Sequence, residues 1–249
     1  MIASRAHGFI FFKTRKTAGT SIEIALTPHC GGKDILTPLA YEDELLRSPE
    51  GLLAARNYSF NKPLVKGFSD AYRDSKIKKY QMLMRRLARS QALFNHIPAK
   101  RLKKKLAPAL WASAWKFTIE RHPYEKVVSD AFYHYHYLLL RLTRQGRDEK
   151  QPTFSRYLDF FIGRMTPDRG EAYAIDGTVV VDEVIFQESL EEQLHDVAKR
   201  LGLPLSEIPR AKGQFRKDPR PAREILTDAQ KEAIFLKHRT TFERFGYQP

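Results

Sequence analysis

A single cysteine in 249 residues, Cys30, leaves nothing from which to build an internal disulfide framework or a multi-thiolate metal site. No apolar run approaches the ~20 residues that a membrane-crossing helix needs. The opening Met1–His7 lacks the layout of a secretory signal, so the expected location is cytoplasmic. Acidic residues are also scarce: 29 Asp and Glu stand against 43 Lys and Arg, a formal net charge of +14. What remains is ample for a packed core, since 42% of residues are hydrophobic and 12% aromatic, and wholesale disorder is excluded. The length suits one α/β domain, 1–249, or a domain carrying a large insertion.

The positive charge is concentrated. Between Arg73 and Lys105 twelve Lys and Arg meet one acid, Asp74, so this stretch holds most of the excess. Such a block favours a polyanion: nucleic acid, an anionic lipid face or an acidic glycan. Met82, Leu83, Leu87 and Leu93 punctuate the charges, which predicts an amphipathic helix beneath them.

Strand-like and helix-like stretches alternate along the chain. Phe9–Phe12 has the apolar continuity of a strand buried on both faces. It runs through a short basic loop into a helix carrying Ile22, Ile24 and Leu26, with Thr20 and Ser21 as expected capping residues. Residues 27–68, rich in Pro and Gly, are expected to be irregular with short helices. Ala92–Asn95 is a further strand candidate, closed by Pro98. Trp115–Glu120 is a strand stopped by Arg121-His122-Pro123, and Pro123 opens a helix through Val127, Val128 and Phe132. Val179–Phe186 gives another apolar run, followed by a helix ending at Gly202. A last helix runs from a Thr227 cap to Gly246. This alternation predicts an α/β fold with a largely parallel sheet and helices on both faces.

A strand that feeds a short basic loop and then a helix is a cradle for phosphate, because the helix's first N–H groups and its dipole both favour an anion. Lys13 to Ser21, KTRKTAGTS, has that layout. Gly19 admits close backbone approach, Thr20 and Ser21 offer hydroxyls, and Lys16 is placed to reach a phosphoryl oxygen. The order is not that of a Walker A loop, which needs Lys after its last glycine where this chain has Thr20. Asp182 alone does not restore magnesium-dependent nucleotide hydrolysis. His134 and His136, two apart on a helix, face different ways and make a poor chelate, and no metal is expected.

The run Lys16-Thr17-Ala18-Gly19-Thr20-Ser21 resembles the 5′-phosphosulfate loop of sulfotransferases, commonly Pro-Lys-Thr-Gly-Gly-Thr-Ser in the carbohydrate-type branch (family 2-like). Arg15 replaces the usual Pro and Ala18 a Gly. Phe117–Ser129 is similar to that family's 3′-phosphate motif, in which a strand ends in Arg, a Pro follows, and Ser comes eight residues after the Arg; Arg121 and Ser129 keep the spacing. Val181–Glu188 with the following helix and Leu201-Gly202-Leu203, and the ending Phe242–Tyr247, also resemble the family. The likeness is weakest over 27–68 and across the basic stretch at 73–105, which falls between the two donor motifs.

The resemblance implies a P-loop-like fold and transfer of a sulfuryl group from 3′-phosphoadenosine 5′-phosphosulfate to an acceptor hydroxyl or amine, with 3′,5′-ADP released. The acceptor is expected to be a carbohydrate, anionic if the basic stretch touches it. Lys16 is the candidate for the leaving oxygen, with Lys13 beside it. Lys13 and Lys16 to Ser21 would hold the 5′ end, and Arg121 and Ser129 the 3′-phosphate. Lys212-Gly213, with Arg216, would close over the donor. His96 is the first choice of general base, and Glu23 and Glu120 follow. Two other readings stay open: a non-catalytic protein binding nucleic acid or another polyanion through the basic stretch, and a kinase-like phosphotransferase.

Overall fold

Four consecutive apolar residues leave a strand no polar face to turn outward, and Phe9–Phe12, all buried, form β2 at the middle of a five-stranded sheet. The computed structural model describes residues 1–48, 52–168, 170–205, 208–209, 211 and 215–249. Its chain divides into two units, Met1–Glu120 with Glu171–Ala211, and Arg121–Gly170 with Lys212–Pro249.

In the first unit β1 (Ile2–Ser4) and β3 (Ile35–Leu36) lie to one side of β2, and β4 (Trp115–Glu120) and β7 (Glu183–Phe186) to the other, in the order β3-β1-β2-β4-β7. A separate hairpin, β5 (Ala174–Ile175) and β6 (Thr178–Val179), precedes β7. β2 pairs with β4 in parallel, and β4 with β7 likewise, but β1 runs antiparallel to both β2 and β3. The sheet is therefore mixed, which corrects the largely parallel sheet expected from the sequence. The cause is the turn Arg5–Gly8, where Gly8 takes a left-handed φ of 61° and sends the chain straight back, pairing Ile2 with Phe11 and Ser4 with Phe9. A three-residue strand leaves too short an alternation to recognise. Asp34 fixes the turn: its carboxylate accepts from Ser4 Oγ (2.9 Å), Arg5 N (2.6 Å), Ala6 N (3.1 Å) and Gly31 N (2.8 Å).

One face of the sheet presents Phe9, Phe11, Phe117, Ile119 and Ile185. Against it pack Ile22 and Leu26 of α1 (Gly19–Leu26) and Leu194 and Val197 of α9 (Leu190–Leu201). On the opposite face Phe12 meets Trp111 of α6 (Pro108–Ser113) edge-on at 6.0 Å, and the Lys116 ammonium lies 5.6 Å from the same ring. The architecture is thus α/β, a mixed five-stranded sheet flanked by helices. Between α1 and α6 come α2 (Tyr41–Arg47), α3 (Lys62–Arg73), α4 (Ile77–Arg89) and α5 (Ala99–Lys103). The basic stretch thus folds as α4 and α5, with Leu83 and Leu87 buried under α4 as its pattern predicts; Met82 is exposed and Leu93 lies past the helix end. Ala92–Asn95 is not a strand but a turn-containing connection, and Val179–Phe186 divides between β6 and β7 instead of running through.

The second unit is helical. α7 (Pro123–Arg144), α8 (Phe154–Arg164), α10 (Ala222–Ile225) and α11 (Asp228–Phe245) bury Tyr124, Val127, Val128, Leu158, Ile234 and Phe242 together. Pro123 takes the first helical position of α7, as expected, and His122 caps it by accepting from Tyr124 N at 3.2 Å. Thr227 and Gln230 cap α11 reciprocally, and Gly246 ends it in the left-handed conformation.

The Asp34 carboxylate is pushed up in pKa by burial, but its hydrogen bonds from Gly31, Ser4, Ala6 and Arg5 outweigh that and hold it below the ordinary carboxylate value. Replacing Asp34 by Ala should cost about 2–4 kcal/mol in urea unfolding, because three backbone N–H groups lose their charged acceptor. In the parent this contribution is present above about pH 4 and is lost as pH falls through the depressed pKa, so the variant should show a flatter acid limb. A loss under about 0.5 kcal/mol would show that the turn forms without it.

Candidate functional site

Six residues separate the end of β2 from the start of α1, and within them Lys16 and Ala18 adopt left-handed φ of 60° and 64°. Non-glycine residues rarely do this, and each costs roughly 1 kcal/mol. Alternating left-handed residues turn successive backbone N–H groups towards one concavity, the geometry of an anion nest. Ala18 is the residue before the helix and provides no side-chain cap, so the expected capping by Thr20 and Ser21 is corrected: α1 starts at Gly19, and both hydroxyl residues lie inside its first turn. Their backbone N–H groups are therefore among those that no helical carbonyl satisfies. The Ser21 hydroxyl accepts from Ala211 N at 3.1 Å.

Gly19 is dictated by contact. A Cβ there would stand 2.8 Å from Lys13 Cγ, so the lysine stem passes directly over the glycine. Beyond it the Lys13 ammonium pairs with Glu23 of α1 at a site closed to solvent, and the other carboxylate oxygen receives the Met1 amino group. Burial pushes the Glu23 pKa up, but Lys13, the amino group and Arg47 together pull it below the ordinary value. With one oxygen on the Lys13 ammonium and the other on the Met1 amino group, Glu23 is suited to holding Lys13 and poorly suited to taking a proton. Thr14 ties the loop to the sheet by donating from Oγ1 to Ile119 O near the end of β4. Thr17, fully buried, places its hydroxyl 2.7 Å from that of Thr14, at the root of the loop. Lys16 is half-buried and Arg15 exposed.

His96 comes to the same place. Its Nδ1 lies 3.1 Å from Lys13 O, although the sequence expectation that it ends a strand is not met. Partial desolvation, then the charge of Lys13, draws its pKa below the ordinary imidazole value, although the residue is exposed at the surface. Glu120, the other carboxylate considered as a base, is buried at the end of β4 opposite Phe186. Asp182 serves the backbone: its carboxylate accepts from Lys116 N at 2.7 Å while its own N–H donates to Lys116 O at 2.8 Å. Among the described residues no group of three or more His, Cys, Asp or Glu could hold a metal ion.

In the second unit Arg121 and Arg216 meet on one carboxylate. Arg121 donates to Glu125 Oε2 at 3.0 Å, Arg216 pairs with the same oxygen, and Ala222 N donates to Oε1 at 2.6 Å. Burial raises the Glu125 pKa, but the Ala222 N–H and the two guanidinium groups more than reverse it. Ser129 lies one turn further along the same face of α7, half-buried. Two guanidinium groups fixed on one carboxylate can take a phosphate through forked hydrogen bonds. Lys212 and Gly213 lie outside the described residues. The sequence reading missed Glu125; the available signal was its place four residues after Arg121 at a helix start. No family of known proteins matches the chain, and neither does any curated protein or solved structure.

Because Ala18 holds φ 64° with a side chain, Ala18→Gly should raise the unfolding free energy by about 0.5–1 kcal/mol, relief of the left-handed cost exceeding the added chain entropy. Destabilisation of that size in denaturant titration would show that the loop does not hold this conformation in solution.

Proposed function

We propose that the protein transfers a sulfuryl group from 3′-phosphoadenosine 5′-phosphosulfate to a hydroxyl or amine of an acceptor, a carbohydrate by the resemblance, on a P-loop-like α/β scaffold. One observation carries the reading: a basic strand–loop–helix turn, left-handed at Lys16 and Ala18, that leaves the first N–H groups of α1 without helical partners. The convergence of Arg121 and Arg216 on Glu125 supports an independent phosphate-binding group at the position the 3′-phosphate motif assigns.

In this reading Lys16 and the N–H groups of Gly19, Thr20 and Ser21 hold the 5′-phosphosulfate, and Arg121 and Ser129 take the 3′-phosphate. The acceptor oxygen forms its bond to sulfur as the bond from sulfur to the bridging oxygen breaks, and that oxygen leaves as part of 3′,5′-ADP. Lys16 meets the charge growing on it. The acceptor's proton passes to His96. If its Nδ1–H donates to Lys13 O, Nε2 is left as the acceptor. Lys13, neutralised by Glu23, contributes by shaping the loop over Gly19. A kinase-like transfer is disfavoured because the Asp182 carboxylate already serves Lys116 N.

Two substitutions test this in steady-state and binding assays. Lys16→Ala should lower kcat more than it weakens donor binding, since the bridging oxygen gains its charge in the transition state. Arg121→Ala should weaken 3′,5′-ADP by about 1.5–3 kcal/mol, the range for a hydrogen bond to a charged group. Unchanged 3′,5′-ADP affinity in Arg121→Ala, or a Lys16→Ala enzyme altered only in KM, would contradict the assignment.

A further inference from the structure

α4 has two unlike sides. Tyr80, Leu83 and Leu87 are buried, whereas Lys78, Lys79, Arg85, Arg86 and Arg89 are exposed, and among the described residues none of these five joins an ion pair. The neighbouring cations are compensated: Lys66 and Arg73 by Asp70, Lys76 by Asp74, Lys100 by Asp176. Helical spacing sets Lys78, Met82, Arg85 and Arg89 in one stripe opposite the buried residues, about 16 Å long, with Lys79 and Arg86 on its flank. Arg85 and Arg89, four apart, repel each other, so nothing within the helix favours this arrangement.

The same part of the chain gathers exposed apolar side chains. Of the ten large hydrophobic residues exposed among those described, six fall between positions 45 and 82: Leu45, Leu46, Leu52, Phe60, Ile77 and Met82. Met82 sits inside the cationic stripe. Phe60, fully exposed, stands just before α3, which pairs with α4 through Gly67 and Leu83. A hydrogen bond from Leu93 N to Tyr58 O (2.8 Å) ties the chain before α3 to the chain after α4, which brings Phe60 to the Arg89 end of the hairpin.

Cations alone would suit any polyanion. Exposed Phe and Met side chains beside unpaired cations suit a bilayer, where headgroup phosphates meet the charges and the acyl boundary takes the apolar tips. We propose that α4 and Phe60 form a peripheral docking surface for an anionic lipid membrane. No helix among the described residues is long and apolar enough to cross a membrane, so the engagement is at the surface. None of these residues belongs to the proposed donor site, and the inference stands whether or not sulfuryl transfer does.

Vesicle co-sedimentation tests it, comparing phosphatidylcholine alone with phosphatidylcholine containing phosphatidylserine, and with dextran sulfate and duplex DNA as soluble competitors. The protein should pellet with the anionic vesicles only. Lys78→Gln/Arg85→Gln/Arg89→Gln should reduce that binding about 100-fold, as three lost interfacial charges imply. Phe60→Ser should reduce vesicle binding about fivefold while leaving dextran sulfate binding unchanged, because only a bilayer takes up the ring. All four positions are exposed, and should the triple variant fail to fold, Phe60→Ser and Arg85→Gln alone carry the comparison. No preference for anionic vesicles, a Phe60→Ser protein that binds them like the parent, or competitors that outbind the vesicles would overturn the proposal; the last would assign the surface to a soluble polyanion.

Discussion

A lysine ammonium closed off from water is tolerated only where a carboxylate neutralises it, and Glu23 does this for Lys13 at the end of β2. The pair fixes more than two charges. It lays the lysine stem across the start of α1, which leaves room for no side chain at position 19, and it sets the carbonyl of Lys13 where His96 reaches it. The left-handed turns at Lys16 and Ala18 then bring the chain from strand to helix within six residues. Losing Glu23 would bury the Lys13 ammonium without this carboxylate at the root of the loop, so its shape depends on this contact.

The second unit shows a different electrostatic solution. Arg121 and Arg216 are both ordered by Glu125, which is itself steadied by Ala222 N. A carboxylate between two guanidinium groups pre-orients them at little entropic cost when an anion arrives, because the side chains are already ordered. Acidic residues are scarce in this chain, yet Asp34, Glu23 and Glu125 each organise several donors or cations at once.

Part of the first unit was legible because two of its strands carry a clear apolar pattern and a clear stop: Phe9–Phe12 into a basic loop, and Trp115–Glu120 into Arg-His-Pro. Gly202, Thr227 and Gly246 marked helix ends through rules that act within one turn. The antiparallel side of the sheet was hidden because Ile2–Ser4 and Ile35–Leu36 are too short to alternate and are positioned by Asp34, far along the chain from the turn it binds. The loop was visible as a basic Gly-Thr-Ser stretch, but Thr20 and Ser21 as caps were not met, since Ala18 takes the left-handed position that starts the helix without them. Ala92–Asn95 failed as a strand because the bond from Leu93 N to Tyr58 O is not extended into a ladder, although His96 still arrives at the loop.

If the loop and Arg121 serve a donor with a 3′-phosphate, isothermal titration of the unmodified protein shows it most directly. With no metal added, 3′,5′-ADP should bind at least about tenfold more tightly than ATP, and magnesium should not reverse the order. Tighter binding of magnesium-ATP, or no binding of 3′,5′-ADP, would contradict the account.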